Sequence, residues 1–235
     1  MVDVFDQVFI RVGGPPGGGK TTFIKAVLAD QAEEPALILV RRRRDDPSAP
    51  DPELVDVLAA MDEDCDVAID EGHEPGGSPD LTVHVMAASA GPVLERRQYE
   101  SEDARLTALL DQSGLPRGYT DLLASRGQIL KKVLLDAPPA VCWAIPDEHR
   151  GIARSHLVIV NVRGGAERDR AEALVADVAR LRRDPEVFAD LRLSLVGGRT
   201  SITAVVADLA DPQDAGTRKA LARVRRVLRS RLVHG

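Results

Sequence analysis

The chain has 235 residues, of which 44% are hydrophobic and 29% are charged, and its formal net charge is −6. This length supports one sizeable α/β core and is marginal for two, and an acidic chain does not attract nucleic acid through a general positive field. Four Phe, two Tyr and one Trp are too few for a base-stacking platform, so we expect no nucleic-acid partner.

Cysteine usage and hydrophobic runs indicate an ordinary reduced protein. Cys65 and Cys142 lie far apart and neither has a CxxC partner, so the sequence predicts no disulfide framework and no standard zinc motif. No apolar run approaches the roughly 20 residues that cross a bilayer. The first residues lack the basic and apolar regions of a signal peptide. We therefore expect a cytoplasmic protein with no membrane partner.

Apolar runs bounded by turn residues alternate along the chain with segments of helical period. This alternation predicts an α/β fold, a mainly parallel sheet flanked by helices, in a single domain over residues 1–235. Strands are predicted at Val8–Val12, Ala36–Val40, Asp66–Asp70, Leu81–Ala87, Leu157–Asn161 and Leu191–Val196. Helices are predicted at Lys20–Gln31 (with Phe23, Val27 and Leu28 facing inward), Glu53–Met61, Ala166–Arg183, Ser201–Leu209 and Asp214–Leu232.

The middle of the chain, Leu94–Gly151, is predicted to be mostly helical. It is interrupted by Ser113-Gly114, Arg117-Gly118 and Pro138-Pro139. Two interpretations stay open: an inserted lid over residues 94–151, or extra helices packed on the sheet.

A glycine-rich loop between the first predicted strand and helix fits the motif G-x-x-x-x-G-K-[ST] in full, which predicts a P-loop NTPase fold. Glycines let backbone N–H groups turn toward phosphate oxygens, and the helix that follows adds its positive N-terminal end. Lys20 places an ammonium at the β- and γ-phosphates, and the Thr21 hydroxyl is a magnesium ligand. The predicted nucleotide-binding residues are Gly14, Pro15, Pro16, Gly17, Gly18, Gly19, Lys20, Thr21 and Thr22.

A second acidic element follows the apolar run Val67-Ala68-Ile69. Asp70 is predicted to hold Mg²⁺ through water, and Glu71 to orient or deprotonate the attacking water, so both join Lys20 as catalytic candidates. Asp45 and Asp46 follow the second predicted strand, and Asp46 is a further metal candidate. The stretch that contains them is equally well interpreted as a solvated charged loop.

Three stretches, in order, resemble the nickel-insertion GTPases of urease and hydrogenase maturation and the related metallochaperone GTPases. They are VGGPPGGGKTTFIKAVL, DVAIDEGHEPGGSPDLTVHVMAAS and RSHLVIVNVRGG. The resemblance implies a P-loop, then a Walker B strand with a glycine-containing switch, then a base-specificity motif N-K-x-D. It also implies a protein client, such as a metalloenzyme under assembly, and a homodimer.

The base-specificity motif departs from that family. Asn161 matches, but Val162 replaces the Lys and Gly164 replaces the Asp that accepts hydrogen bonds from guanine, so GTP and ATP both remain open. Asn161 is either a base contact or a strand-end residue. The family also carries a Cys-His metal cluster, whereas this chain offers only single candidates: Cys65, His73, His84, Cys142 and His149.

Three functions compete at this point. The first is a slow, Mg²⁺-dependent GTPase or ATPase that acts as a switch for a partner. The second is a small-molecule or nucleotide kinase, whose lid would carry arginines toward the transferred phosphate: Arg96, Arg97, Arg105 or Arg117. The third is a non-catalytic module that binds nucleotide and acts through protein contacts.

Overall fold

The computed structural model describes residues 8–30, 38–42, 67–71, 79–101, 104–105, 107–108, 141–192, 195 and 201–232. The strands are β1 (Val8–Gly13), β2 (Ile38–Arg42), β3 (Val67–Glu71), β4 (Leu81–Ala87), β5 (Glu95–Gln98), β6 (Val141–Ala144), β7 (Leu157–Asn161) and β8 (Thr203–Ala207). The helices are α1 (Lys20–Asp30), α2 (Arg168–Arg183), α3 (Pro185–Leu191) and α4 (Ala215–Leu232), with 3-10 turns at Asp147–Arg154 and Gly165–Glu167.

Six strands form one sheet in the order β2-β3-β1-β4-β7-β8, and all five neighbouring pairs are parallel. Helices α1 and α4 pack on one face, while α2, α3 and the 147–154 turn pack on the other. The predicted α/β class, a mainly parallel sheet flanked by helices, is therefore confirmed. Because parallel strands share one carboxyl edge, the loops after β1, β3, β7 and β8 meet there.

Side chains of the central strands alternate between the two faces, as the period of two requires. In β7, Leu157 and Ile159 join the core under α1 and α4, whereas Val158 and Val160 join the core under α2. Every residue of β7 is buried, which explains why this strand is a continuous apolar run in the sequence.

Several predicted elements are confirmed within one to three residues, and the strands 81–87 and 157–161 agree at both ends. The second strand extends to Arg42, so it includes Arg41 and Arg42 beyond its predicted end at Val40. In α1 the buried residues are Phe23, Ile24 and Val27, whereas Leu28, predicted to face inward, is 38% exposed. The predicted helix 53–61 lies outside the described residues.

Two predictions near the C-terminal half are wrong. Residues 201–209 contain the strand β8 and not a helix, because Thr203, Val205 and Val206 are β-branched and pair with β7. The apolar spacing of Ile202, Val205, Val206 and Leu209 also fits a helical period, which led to the wrong assignment.

The predicted last strand 191–196 begins where a helix ends. Leu191 is the final residue of α3, and residues 193, 194 and 196 lie outside the described part. The Asp184 side chain caps α3 by accepting from the N–H groups of Glu186 (3.0 Å) and Val187 (3.3 Å), and Pro185 occupies the first turn. This Asp-Pro start signal was present in the sequence and was missed.

The segment 94–151 is not mostly helical where it is described. Its two ends pair as an antiparallel ribbon, in which Arg96 lies opposite Trp143 and Arg97 opposite Cys142. The Trp143 ring lies between two guanidinium groups, 4.4 Å from Arg96 and 4.5 Å from Arg180 of α2. Residues 109–140 lie outside the described part, so the lid and the single domain stay predictions.

The close approach of α4 to the sheet generates a stability prediction. A Cβ at Gly216 would overlap the carbonyl oxygen of Val206 in β8, whereas a Cβ at Gly165 would meet nothing within 4 Å. Gly216→Ala should therefore lower the free energy of unfolding by about 1–3 kcal/mol, despite the better helix propensity of Ala. Urea unfolding of Gly216→Ala and of the control Gly165→Ala checks this, and equal stabilities would contradict it.

Candidate nucleotide-binding site

The glycine-rich loop lies between β1 and α1 at the carboxyl edge of the sheet. Gly14, Gly17 and Gly19 have φ angles of 132°, 74° and 105°, which L side chains rarely adopt. A Cβ at Gly14 or at Gly18 would overlap the carbonyl oxygen of Val85 in β4. The loop therefore rests directly on the β4 backbone, and no side chain fits between the loop and this strand.

Lys20 places its ammonium over this loop. Its Nζ donates to the carbonyl oxygens of Gly14 and Pro15, both at 3.0 Å. The Gly18 N–H closes the turn on the Pro15 oxygen at 3.2 Å, and the Phe23 N–H donates to Gly19 at 2.9 Å as the helix begins. The arrangement brings a positive charge and a helix N-terminus to one cradle, as phosphate binding requires.

Thr21 and Glu71 form the oxygen-rich side of the cradle. The Thr21 hydroxyl donates to Glu71 Oε1 at 3.0 Å. Strand register explains this contact, because Glu71 pairs with Val12 at the end of β1 and shares a strand face with Ile69, which packs in the core under α1. Hydroxyl and carboxylate oxygens are ligands that Mg²⁺ accepts, so these two side chains fit the predicted metal.

The other two metal candidates lie partly or wholly outside the described residues. Asp70 is the fourth residue of β3, opposite Arg11 of β1, and its side chain lies outside the described part. Asp46 and Asp45 lie outside the described residues altogether. The structure thus brings together Lys20, Thr21 and Glu71, while the roles of Asp70 and Asp46 stay predictions.

Asn161 is a link between two loops. Its side chain is 8% exposed, and Oδ1 accepts from the Leu209 N–H, just after β8, at 3.2 Å. Its amide nitrogen lies beside the glycine-rich loop, since a Cβ at Gly19 would be 2.5 Å from Nδ2. Both contacts are within the protein itself, and a base contact by Asn161 stays a prediction.

The backbone of the loop after Asn161 has a conformation that an Asp rarely adopts, at the position where the family motif places its Asp. Gly164 has φ 89° and ψ 175°, a region almost restricted to glycine. It is exposed, and a Cβ there would meet nothing within 4 Å. The guanine-reading carboxylate is therefore missing together with the backbone conformation that would carry it.

Asp214 ties this loop region to the start of α4. Its Oδ2 accepts from the N–H groups of Thr217 (2.9 Å) and Asp208 (3.2 Å), and its Oδ1 lies 3.0 Å from Arg168 Nη2. Burial alone would raise the pKa of Asp214, but these N–H groups and the Arg168 guanidinium together lower it. An Asp immediately before a helical run is a usual signal of a helix start, and Asp214 is such a residue.

The Cys and His candidates that lie within the described residues do not form a metal cluster. His84 and His149 are both buried, with ring centroids 5.8 Å apart, and His149 Nε2 lies 3.3 Å from the Gly91 oxygen. Cys142 is buried on the ribbon, where its Sγ accepts from Arg105 Nε at 3.2 Å, and burial raises its pKa. Across the described ranges no three His, Cys, Asp or Glu side chains are grouped to hold a metal. Cys65 and His73 lie outside those ranges.

The arginines proposed for a kinase lid are engaged elsewhere. Arg96 pairs with Glu186, Arg97 with Glu95, and Arg105 with Asp190. Arg96 also lies over the ring that Arg180 covers from the other side, and Arg180 is about 18 Å along α2 from Arg168 at a rise of 1.5 Å per residue. These contacts hold Arg96 toward the far end of α2, and Arg117 lies outside the described residues.

The strand order, the glycine-rich loop and its neighbours define a P-loop nucleotide-binding fold. No protein-family model matches the chain, and no curated protein matches it in sequence. Among solved structures it is similar to the hydrogenase maturation factor HypB from Archaeoglobus fulgidus, with 14% identity, 94% of this chain and 89% of that chain covered, and a TM-score of 0.43. That protein is a hydrogenase maturation factor, and the motifs of this chain resemble those of the hydrogenase maturation GTPases. None of the helices in the described residues is long and apolar enough to span a membrane.

The Asn161 contact generates a prediction about stability. Asn161→Ala removes the acceptor of the buried Leu209 N–H, so it should lower the free energy of unfolding by about 1–3 kcal/mol. Urea unfolding without any nucleotide checks this. An unchanged stability would mean that Asn161 serves only a bound base.

His149 generates a prediction about pH. Burial lowers its pKa, an effect that Glu148 and the Gly91 carbonyl only partly offset. The folded chain then binds a proton less readily than the unfolded chain, so stability is complete above the ordinary histidine pKa of about 6.5 and declines as the pH falls below it. The urea concentration at the unfolding midpoint of the native chain should decrease as the pH is lowered from about 7.5 to about 5. His149→Gln should flatten that decline. Parallel pH profiles for both proteins would contradict the assignment.

Proposed function

We propose that this chain binds a Mg²⁺-nucleoside triphosphate, hydrolyses it slowly and acts as a switch for a protein partner. The observation that carries the proposal is the contact between Thr21 and Glu71 beside Lys20. A glycine-rich turn without a role would not need an ammonium, a hydroxyl and a carboxylate on its inner side.

The residues of the cradle divide the work of binding. The N–H groups of the loop and of the first turn of α1 would face the phosphate oxygens, and Lys20 Nζ would exchange its two carbonyl acceptors for the β- and γ-phosphates. Bound Mg²⁺ would offset the phosphate charge. Thr21 Oγ1 would hold the metal, with Asp70 proposed as the carboxylate that acts through water.

Glu71 is the group proposed to act on the attacking water. Once the Thr21 hydroxyl turns away from it, Oε1 is able to accept a hydrogen bond from that water. The water oxygen forms a bond to the γ-phosphorus, the bond to the β–γ bridging oxygen breaks, and the proton passes to Glu71 or to the released phosphate.

We infer that the site selects weakly between GTP and ATP. The backbone of Gly164 does not suit a base-reading Asp, and Asn161 is partly committed to Leu209. Discrimination between bases depends on buried polar groups that match one of them. The partner is proposed as a protein client or a second copy of the chain, and a metalloenzyme as client stays an expectation from the motif resemblance.

A nucleotide titration tests the proposal. Non-hydrolysable GTP and ATP analogues should both bind, more tightly with Mg²⁺, and their affinities should differ by less than about tenfold, or 1.4 kcal/mol. Lys20→Ala should weaken binding by about 100-fold or more, because it removes the ammonium from two phosphates. Lys25→Ala, which removes an exposed lysine from the same helix, is the matched control.

Phosphate release separates the three candidate functions. Slow release that needs Mg²⁺ and is lost in Glu71→Gln supports the switch, whereas ADP formation that depends on a small-molecule acceptor would identify a kinase. Binding without release, together with partner binding that survives Lys20→Ala, would identify the non-catalytic module. If Lys20→Ala and Lys25→Ala bind the analogues equally, the loop is not a nucleotide site.

A further inference from the structure

Helix α4 carries an unusual concentration of positive charge. Its 18 residues include seven Arg or Lys and no Asp or Glu. The formal net charge of the whole chain is −6. Because this helix carries a net charge of +7, the rest of the chain carries −13. The charge of the molecule is therefore strongly uneven.

The basic side chains lie on the outer face of α4, opposite its core face of Ala220, Leu221, Val224 and Leu228. We call this outer face the basic stripe. It consists of five exposed residues: Arg218, Lys219, Arg225, Arg226 and Arg229. At 1.5 Å per residue it is about 16 Å long, and its central position is the small residue Ala222.

Three of the five side chains of the basic stripe have no ion-pair partner among the described residues. Arg225 pairs with Asp30 of α1, whereas Arg218, Lys219 and Arg226 form no ion pair within the described ranges. Arg218 and Lys219 stand near the helix N-terminus, where positive charge opposes the helix dipole. Like charges three or four residues apart, such as Lys219 and Arg223, further destabilise the helix. A stripe that costs stability in isolation indicates a partner that offsets it.

We propose that the basic stripe binds a short acidic segment of a partner protein. A bilayer surface is disfavoured because the stripe has no large apolar side chain to insert. A long polyanion such as duplex DNA is disfavoured because it would extend beyond 16 Å and meet the acidic remainder within a Debye length. An extended segment of about five residues, at 3.3 Å each, covers the stripe without that repulsion.

Peptide length provides the sharpest test. Fluorescein-labelled peptides with three, six or twelve consecutive glutamates are titrated with the full chain at about 50 mM salt, and anisotropy reports binding. Affinity should rise steeply from three to six glutamates and then by no more than about sevenfold at twelve, because a six-residue site fits on twelve residues in about seven registers while the added residues leave the stripe. A larger rise from six to twelve glutamates would overturn the proposal, as would no binding of the six-glutamate peptide.

A matched pair of double variants locates the binding. Arg218→Gln/Lys219→Gln should weaken binding of the six-glutamate peptide by about fivefold or more, whereas Arg150→Gln/Arg183→Gln should change it by less than about twofold. Both variants remove two exposed positive charges, but the second pair lies outside α4. Equal effects would show that only net charge matters and would overturn the proposal. Thermal unfolding of both variants verifies that they are folded.

Two competitors decide the class of partner. Duplex DNA and phosphatidylserine vesicles, at matched total charge, should bind more weakly than the six-glutamate peptide. Tighter binding of either one would overturn the assignment to a protein. Nucleotide binding by the same variants should be unchanged, because the stripe lies outside the phosphate cradle, so failure here is distinguishable from failure of the proposed function.

Discussion

The close approach of the glycine-rich loop to the backbone of β4 is the constraint on which the site depends. Gly14 and Gly18 lie where any Cβ would overlap Val85, so the loop is fixed by backbone contact and not by side-chain packing. With the loop in that position, the Lys20 ammonium donates to two carbonyls of the loop, and the Thr21 hydroxyl donates to Glu71 of β3. The position of the main chain therefore fixes where the Lys20 ammonium and the Thr21 hydroxyl lie.

The opposite side of the cradle is held by polar contacts that cross between loops. Asn161 links the glycine-rich loop with Leu209, and Asp214 links the start of α4 with Arg168 at the start of α2. Both side chains are largely buried, so each contact is stronger than its exposed equivalent and more costly to break. These contacts therefore join the loops at the carboxyl edge of the sheet to helices α2 and α4, which lie on opposite faces of the sheet.

Elements whose own residue types determine their structure were predicted from the sequence. Elements whose structure depends on pairing with a distant strand were not. The loop Gly14–Thr21, strand β4 and the fully buried strand β7 were predicted because their residue types have few alternatives. β8 was mistaken for a helix because its apolar spacing fits both periods, and only its pairing with β7 decides. The contact of Thr21 with Glu71 depends on the register between β1 and β3, and the contact of Asn161 with Leu209 joins residues 48 positions apart. Neither leaves a signal in the sequence.

Trp143 is the only tryptophan of the chain, and its ring lies between the guanidinium groups of Arg96 and Arg180. Those two cations join the ribbon to the far end of α2, away from the carboxyl edge of the sheet. Intrinsic fluorescence of this protein is therefore a local reporter of whether the ribbon is seated on α2. A change in the emission spectrum would mark a rearrangement between the ribbon and α2, about 18 Å along that helix from Arg168 at its other end.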